Sequence, residues 1–229
     1  MTNLKIGLTA LAALSLASAA SAQMGQAYVR VVHAVSDAPN VDVYVDGKRT
    51  VADAPFKAVT PFGEVPAGAH KVMVTAAGMK DTVVFEADVN LTAGTYYTVA
   101  AVGYLKNIKP KIFTATSMNM NKAKAAVSVY HLSPDGPRVQ ALAVDMGNAK
   151  LLPMGLSYGN NASLLVNPMG VNLNVVPFGK MEPVVKNISG ISVAGGKSYS
   201  LFAVGTLGGK TFDVVVAEDK LVMGSMAEK

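Results

Sequence analysis

Two histidines occur in the same setting. His33 is followed by Ser36, Asp37 and Pro39, and His131 by Ser133, Pro134, Asp135 and Pro137. An imidazole four residues ahead of a carboxylate can act as a general base, or as a metal ligand oriented by the acid. Ser36 adds a hydroxyl, but a hydrolase triad needs a geometry that neighbouring turn residues seldom give, and no Gly-x-Ser-x-Gly elbow is present. A metal is the stronger chemical alternative. Met118 and Met120 place two thioethers in a polar stretch, and thioether and imidazole are soft ligands that select copper. His33, His131, Met118 and Met120 are therefore the candidate copper ligands. Against them, Asp37 and Asp135 can cap their own turn by accepting backbone N–H bonds, with the histidine packed nearby. Two copies of one fold need the same turn, so repetition favours scaffolding. No catalytic or cofactor-binding residue is assigned.

The repetition extends well beyond the histidines. VRVVHAVSDAPNVDVYVDG from Val29 returns as VSVYHLSPDGPRVQALAVD from Val127, and each copy closes on a matching phrase, LTAGTYYTVAAVG from Leu91 and VAGGKSYSLFAVG from Val193. A period of roughly a hundred residues indicates tandem domains rather than a solenoid. His33 aligns with His131 and Pro55-Phe56 with Pro153-Met154. From Pro66-Ala67-Gly68, set against Pro168-Met169-Gly170, the spacing is larger by about four residues. The extra residues are placed near Ser157 to Ser163, with Ser157-Tyr158-Gly159-Asn160-Asn161 as an enlarged loop.

Residues Met1 to Ala22 read as a secretory leader: Lys5, an apolar stretch from Ile6 to Ala20, and the small-x-small site Ala20-Ser21-Ala22. Export to the periplasm, cell envelope or cell surface is expected, with no transmembrane span in the mature chain. The chain has no cysteine, which excludes a lipidated cysteine, disulfides, thiolate nucleophiles and zinc-thiolate sites. The formal charge is +5, of which Lys5 contributes one. The lysines are scattered through turns, with one cluster at Lys106, Lys109 and Lys111, and no basic stripe with interleaved aromatics argues for nucleic acid. P-loop, dinucleotide, zinc-protease and EF-hand motifs are absent.

Short Val-, Tyr-, Phe- and Thr-rich runs punctuated by Gly, Pro, Asn and Asp predict strands at Tyr28–Ala34, Val41–Val45, Thr60–Glu64, His70–Thr75, Thr82–Val89, Tyr96–Val102 and Lys111–Ala115. Asp46-Gly47 is a hairpin signal. The pattern predicts an all-β chain of two tandem antiparallel β-sandwiches, immunoglobulin- or transthyretin-like in architecture, after the leader. The expected divisions are 1–22 leader, 23–116 first sandwich, 117–125 linker and 126–229 second sandwich. Tyr28, Tyr44, Tyr96 and Tyr97 are expected mostly in packing, and Met73, Met154, Met169, Met181 and Met223 likewise.

The first copy, VRVVHAVSDAPNVDVYVDG with PFKAVTPFGEVPAGAHKVMVTAAG and LTAGTYYTVAAVG, resembles the DUF4397 family of exported bacterial β-sandwich domains, which often occur in tandem. The second resembles a diverged member that keeps His131, Ser133, Pro134, Asp135, Pro137 and Ala203-Val204-Gly205. The resemblance implies an envelope location and a sandwich fold, and brings no catalytic residues. The expectation is a non-catalytic envelope binding or structural module, an accessory subunit of a surface assembly without a cofactor. Its partners would be envelope proteins or polymers, with contacts at Asn107 to Lys111 and Tyr158 to Asn161. The alternative is a copper-binding envelope protein related to superoxide dismutase in function; the lack of a His-x-His pair counts against dismutation.

Overall fold

A computed structural model describes residues 25–115 and 121–225; the leader, Met118 and Met120 lie outside the described residues. The first half forms β1 (Gln26–His33), β2 (Val41–Val45), β3 (Lys48–Ala54), β4 (Phe62–Pro66), β5 (Gly68–Ala76), β6 (Met79–Leu91), β7 (Tyr96–Val102) and β8 (Lys109–Ala115). The second forms β9 (Ala125–His131), β10 (Val139–Ala143), β11 (Ala149–Lys150), β12 (Asn161–Val166), β13 (Met169–Pro177), β14 (Lys186–Val193), β15 (Ser198–Val204) and β16 (Asp213–Glu218), followed by β17 (Leu221–Ser225). The expected all-β pair of sandwiches is what the chain forms.

Each half is built to one plan. Sheet β4-β1-β7-β8 faces β3-β2-β5-β6, and sheet β12-β9-β15-β16 faces β11-β10-β13-β14. Most pairs are antiparallel, but β1 runs parallel to β7 and β9 parallel to β15. The registers repeat: Val31 opposes Val99 and His33 opposes Ala101, as Val129 opposes Leu201 and His131 opposes Ala203. Strand β3 is absent from the predicted set, because Lys48–Ala54 (KRTVADA) carries only one Val and its pairing with β2 is broken by register shifts.

The extra residues of the second copy fall earlier than the sequence alignment places them. The first hairpin closes at Val45 opposite Lys48, across the Asp46-Gly47 turn; its counterpart closes at Ala143 opposite Ala149, so two turn residues become five. Val41 opposite Ala54 then corresponds to Val139 opposite Leu156, which accommodates one more residue. Beyond that point Phe56 matches Tyr158. Each ring lies edge-on to its copy's histidine at 6.5 Å, and Lys57 and Gly159 both adopt positive φ. Pro153-Met154 is thus part of the insertion, and Tyr158 is a conserved station of the fold rather than part of an enlarged loop.

The two sandwiches are fused face to face. Val32, Ala34, Ala100, Val102 and Phe113 of the first pack with Tyr130, Leu132, Phe202 and Val204 of the second in one buried cluster. Central strands β1 and β7 therefore bury both faces, which accounts for the near-continuous apolar run of β7. Arg30, 2% exposed, lies in this joint. Its Nε donates to Thr98 Oγ1 (2.8 Å), Nη1 to Asp219 Oδ1 (2.5 Å), and Nη2 to Ser200 Oγ (2.8 Å) and the Tyr130 hydroxyl (3.3 Å). Phe62 and Phe202 flank the guanidinium, with ring centroids 4.4 and 4.9 Å away. A second clamp joins Asp213 to Lys57 (2.6 Å) and Lys186 (2.8 Å). Burial alone would raise the Asp213 carboxyl, but hydrogen bonds from the two lysines hold it down at about 2. Finally β17 leaves the second half and pairs parallel to β4, making the first sandwich's inner sheet five-stranded.

Candidate functional site

The repeated histidines close their own turns. His33 Nε2 lies 3.1 Å from the Pro39 carbonyl oxygen and His131 Nε2 2.9 Å from that of Pro137. A carbonyl can only accept, so both rings carry the proton on Nε2. That leaves Nδ1 of His33 to accept the Val35 N–H at 3.3 Å. Burial lowers both imidazole pKa values, partly opposed by the carbonyl bonds, so both rings are held neutral. Of the four ring nitrogens only His131 Nδ1 has no protein partner among the described residues.

The aspartates do something different from the expected local cap. Asp37 Oδ1 accepts the Leu105 N–H (3.0 Å), and Asp135 accepts those of Leu207 (2.9 Å) and Gly208 (2.8 Å). Each therefore ties down the loop that follows the seventh strand of its own sandwich. Burial would raise the Asp135 carboxyl, but the two loop amides keep it below the ordinary carboxylate range. Ser36 is likewise structural: its Oγ accepts from Thr211 Oγ1 at 2.9 Å across the joint.

These anchors shape a surface cleft. Strand β7 ends at Gly103, whose φ of +102° suits glycine, and a Cβ there would sit 3.1 Å from the Asn107 carbonyl oxygen. A single 3₁₀ turn, Leu105–Asn107, follows. Asn107 closes it by accepting the Tyr104 N–H through Oδ1 (3.2 Å) and donating its own N–H to the Tyr104 carbonyl (2.8 Å). Opposite, Tyr158 and Gly159 of the second sandwich face Lys109 and Lys111 of β8, with Tyr104 and Pro134 on the rim, around about 400 Å³ of open space. The two loop tracts expected separately to hold partner contacts thus meet in one groove. Burial raises the Tyr158 phenol, and Tyr104 adds to the shift. Lys106, Lys109 and Lys111 form no ion pair among the described residues.

Tyr104 carries little signal in the sequence. Its only signal is its place directly after the closing Ala-Val-Gly phrase, where the second copy has Thr206. Among the described residues no cluster of three or more His, Asp or Glu side chains could hold a metal ion. His33 and His131 belong to separate sandwiches and bind carbonyls.

Fold and groove define a class: a fused pair of β-sandwiches whose polar cleft is formed by both halves. Residues 27–142, from β1 through β10, match the family model described as "Domain of unknown function (DUF4397)", and the chain belongs to that family. No curated protein matches the chain. Two solved structures align weakly. One is a carbohydrate-binding module of family CBM26 from Eubacterium rectale Amy13K, in complex with maltoheptaose (10% identity, TM-score 0.25, 89% of this chain and 100% of that one). The other is a protein provisionally assigned to cell adhesion from Parabacteroides distasonis ATCC 8503 (10% identity, TM-score 0.22, 86% of this chain and 98% of that one). At such scores neither bears on what this protein binds. Among the described residues no helix is long and apolar enough to cross a membrane.

Proposed function

We propose that the protein is an exported, non-catalytic binding module of the cell envelope. Its intersandwich cleft holds a segment of an anionic, hydroxyl-rich envelope polymer. The observation that carries this reading is the convergence of Tyr104, Tyr158, Lys109, Lys111 and Asn107 from both halves on one accessible groove. Tyrosines offer an apolar ring and a hydroxyl at small entropic cost, and lysines with no ion pair among the described residues supply a positive potential for an acidic chain. The anchored turns make the groove preorganised, so little ordering opposes binding. The leader sequence supports delivery to the envelope. No observation favours the copper reading, since three of the four imidazole nitrogens of His33 and His131 are already engaged.

Calorimetric titration of the purified chain with acidic polysaccharide extracted from the envelope tests the proposal. Lys109→Gln with Lys111→Gln should weaken binding about tenfold at low salt, an effect that shrinks as salt screens it. No binding to polymer, alongside capture of a discrete envelope protein through the same groove, would replace the polymer by a protein partner. Stoichiometric copper retained through purification would restore the metal reading.

A further inference from the structure

The two sandwiches differ inside. Between its sheets the first leaves a partly open cavity of about 260 Å³, and the second one of only about 70 Å³. Larger residues in the second copy account for part of the difference. Val99, opposite Val31, becomes Leu201 opposite Val129; Val89 becomes Ile191 in the matching pair of strands; and Val72 becomes Leu173, although its neighbour Val45 becomes the smaller Ala143. Valines make up 11 of the 21 residues lining the first copy's cavity, with Phe85, Leu91, Tyr97, Ala101 and Ile112 as its other apolar members. An apolar cavity of this kind forfeits dispersion contacts and has too few polar partners to hold water stably.

We infer that this cavity is a binding site for a small, neutral, apolar molecule. A cavity of about 150 Å³ suffices for benzene, so this one accommodates an alkyl chain of roughly ten carbons or two fused rings. Its lining residue Ile112, on edge strand β8, is 41% exposed, and a ligand entering there need not unfold the sheets. The polar lining groups do not call for an anion: His33 and Thr50 are bonded to backbone groups, and Asn90 is neutral. Asp88 is itself a carboxylate, and His70 is committed to Asp46 (2.7 Å) and to the Pro66 carbonyl (2.7 Å). A fatty-acid carboxylate would meet that negative charge, whereas an alcohol, ester or hydrocarbon would not. This site lies within the first sandwich and is separate from the cleft at the joint.

The test is fluorescence titration of the whole chain with 2-naphthol, a neutral probe of two fused rings, followed by displacement with 1-decanol and with decanoate. Saturable binding of one probe per chain is expected, with decanol displacing it at least tenfold more effectively than decanoate. Val72→Leu with Val99→Leu, which installs the second copy's own residues, should lower probe affinity at least tenfold and raise Tm. Absence of saturable binding would reduce the cavity to a packing void and overturn the inference. So would unchanged affinity in the double variant, or a fall in its Tm, which would mean the added methyls have no space to fill.

Discussion

Arg30 is the residue on which the joint depends most. A guanidinium removed from water must have every donor matched, and here the partners come from both halves: Thr98 from the first, Ser200, Tyr130 and Asp219 from the second. Asp219→Ala leaves that charge buried without its counter-ion, and about 3–5 kcal/mol of stability should be lost in urea unfolding. A loss under about 1 kcal/mol would show that water reaches the site. The histidines give a second prediction. Burial lowers both pKa values, so the unfolded chain binds more protons below its ordinary value of 6.5. Stability is therefore intact above about pH 6.5 and falls as pH drops through that value. His33→Gln and His131→Gln should each flatten the fall in Tm between pH 7 and 5, and an unchanged slope would contradict this. Arg30 was invisible in the sequence because one basic residue in an alternating strand reads as solvent-facing. Asp37 and Asp135 were legible as anchors, but not as anchors of loops some seventy residues away.

Among the elements, those whose local chemistry agrees with the fold were readable. Val41–Val45 and Tyr96–Val102 match the strands residue for residue, and Asp46-Gly47 sits at the hairpin turn with both φ values positive. That turn is of the type that twists with its strands, and a side chain at Gly47 is strained at φ +80°. Gly47→Ala should cost about 1 kcal/mol, read as a lower Tm without loss of cleft binding. A neutral result would mean the hairpin relaxes around it. The insertion was misplaced because Pro55-Phe56 and Pro153-Met154 look alike. What decides the match is the ring each copy's turn sets against its strand histidine, and that is a contact in space rather than a string of letters. The parallel pairing of β1 with β7 was unreadable for the same reason: direction is a property of the path between strands.

For the molecule as a whole, the sequence announces two units while the structure joins them. A cluster drawn from both inner sheets, the Arg30 network and the Lys57–Asp213–Lys186 bridge leave little for either half to do alone. Calorimetry should therefore show one transition, with calorimetric and van't Hoff enthalpies equal. Two resolved transitions would show that the joint is weaker than its burial implies. Asp213 adds a pH signature of its own. Its carboxyl titrates at about 2 in the fold against an ordinary 3.8, so the stability it contributes is present above about pH 4 and is lost between there and pH 2. Asp213→Asn should remove that acid limb. The interface could not be read from composition because its polar members, Thr98 and Ser200, are ordinary strand residues until Arg30 lies between them.

Strand β17 sets an order in time. Its partner β4 belongs to the half of the chain that is made first, yet Leu221–Ser225 comes about 150 residues later in the chain. Until those residues emerge, β4 presents an unpaired edge and the first sandwich's inner sheet is one strand short, the condition in which sheets pair with the wrong neighbour. A chain threaded outward from its beginning must therefore keep its first half waiting, and the step that seals it comes only when synthesis has passed Ser225.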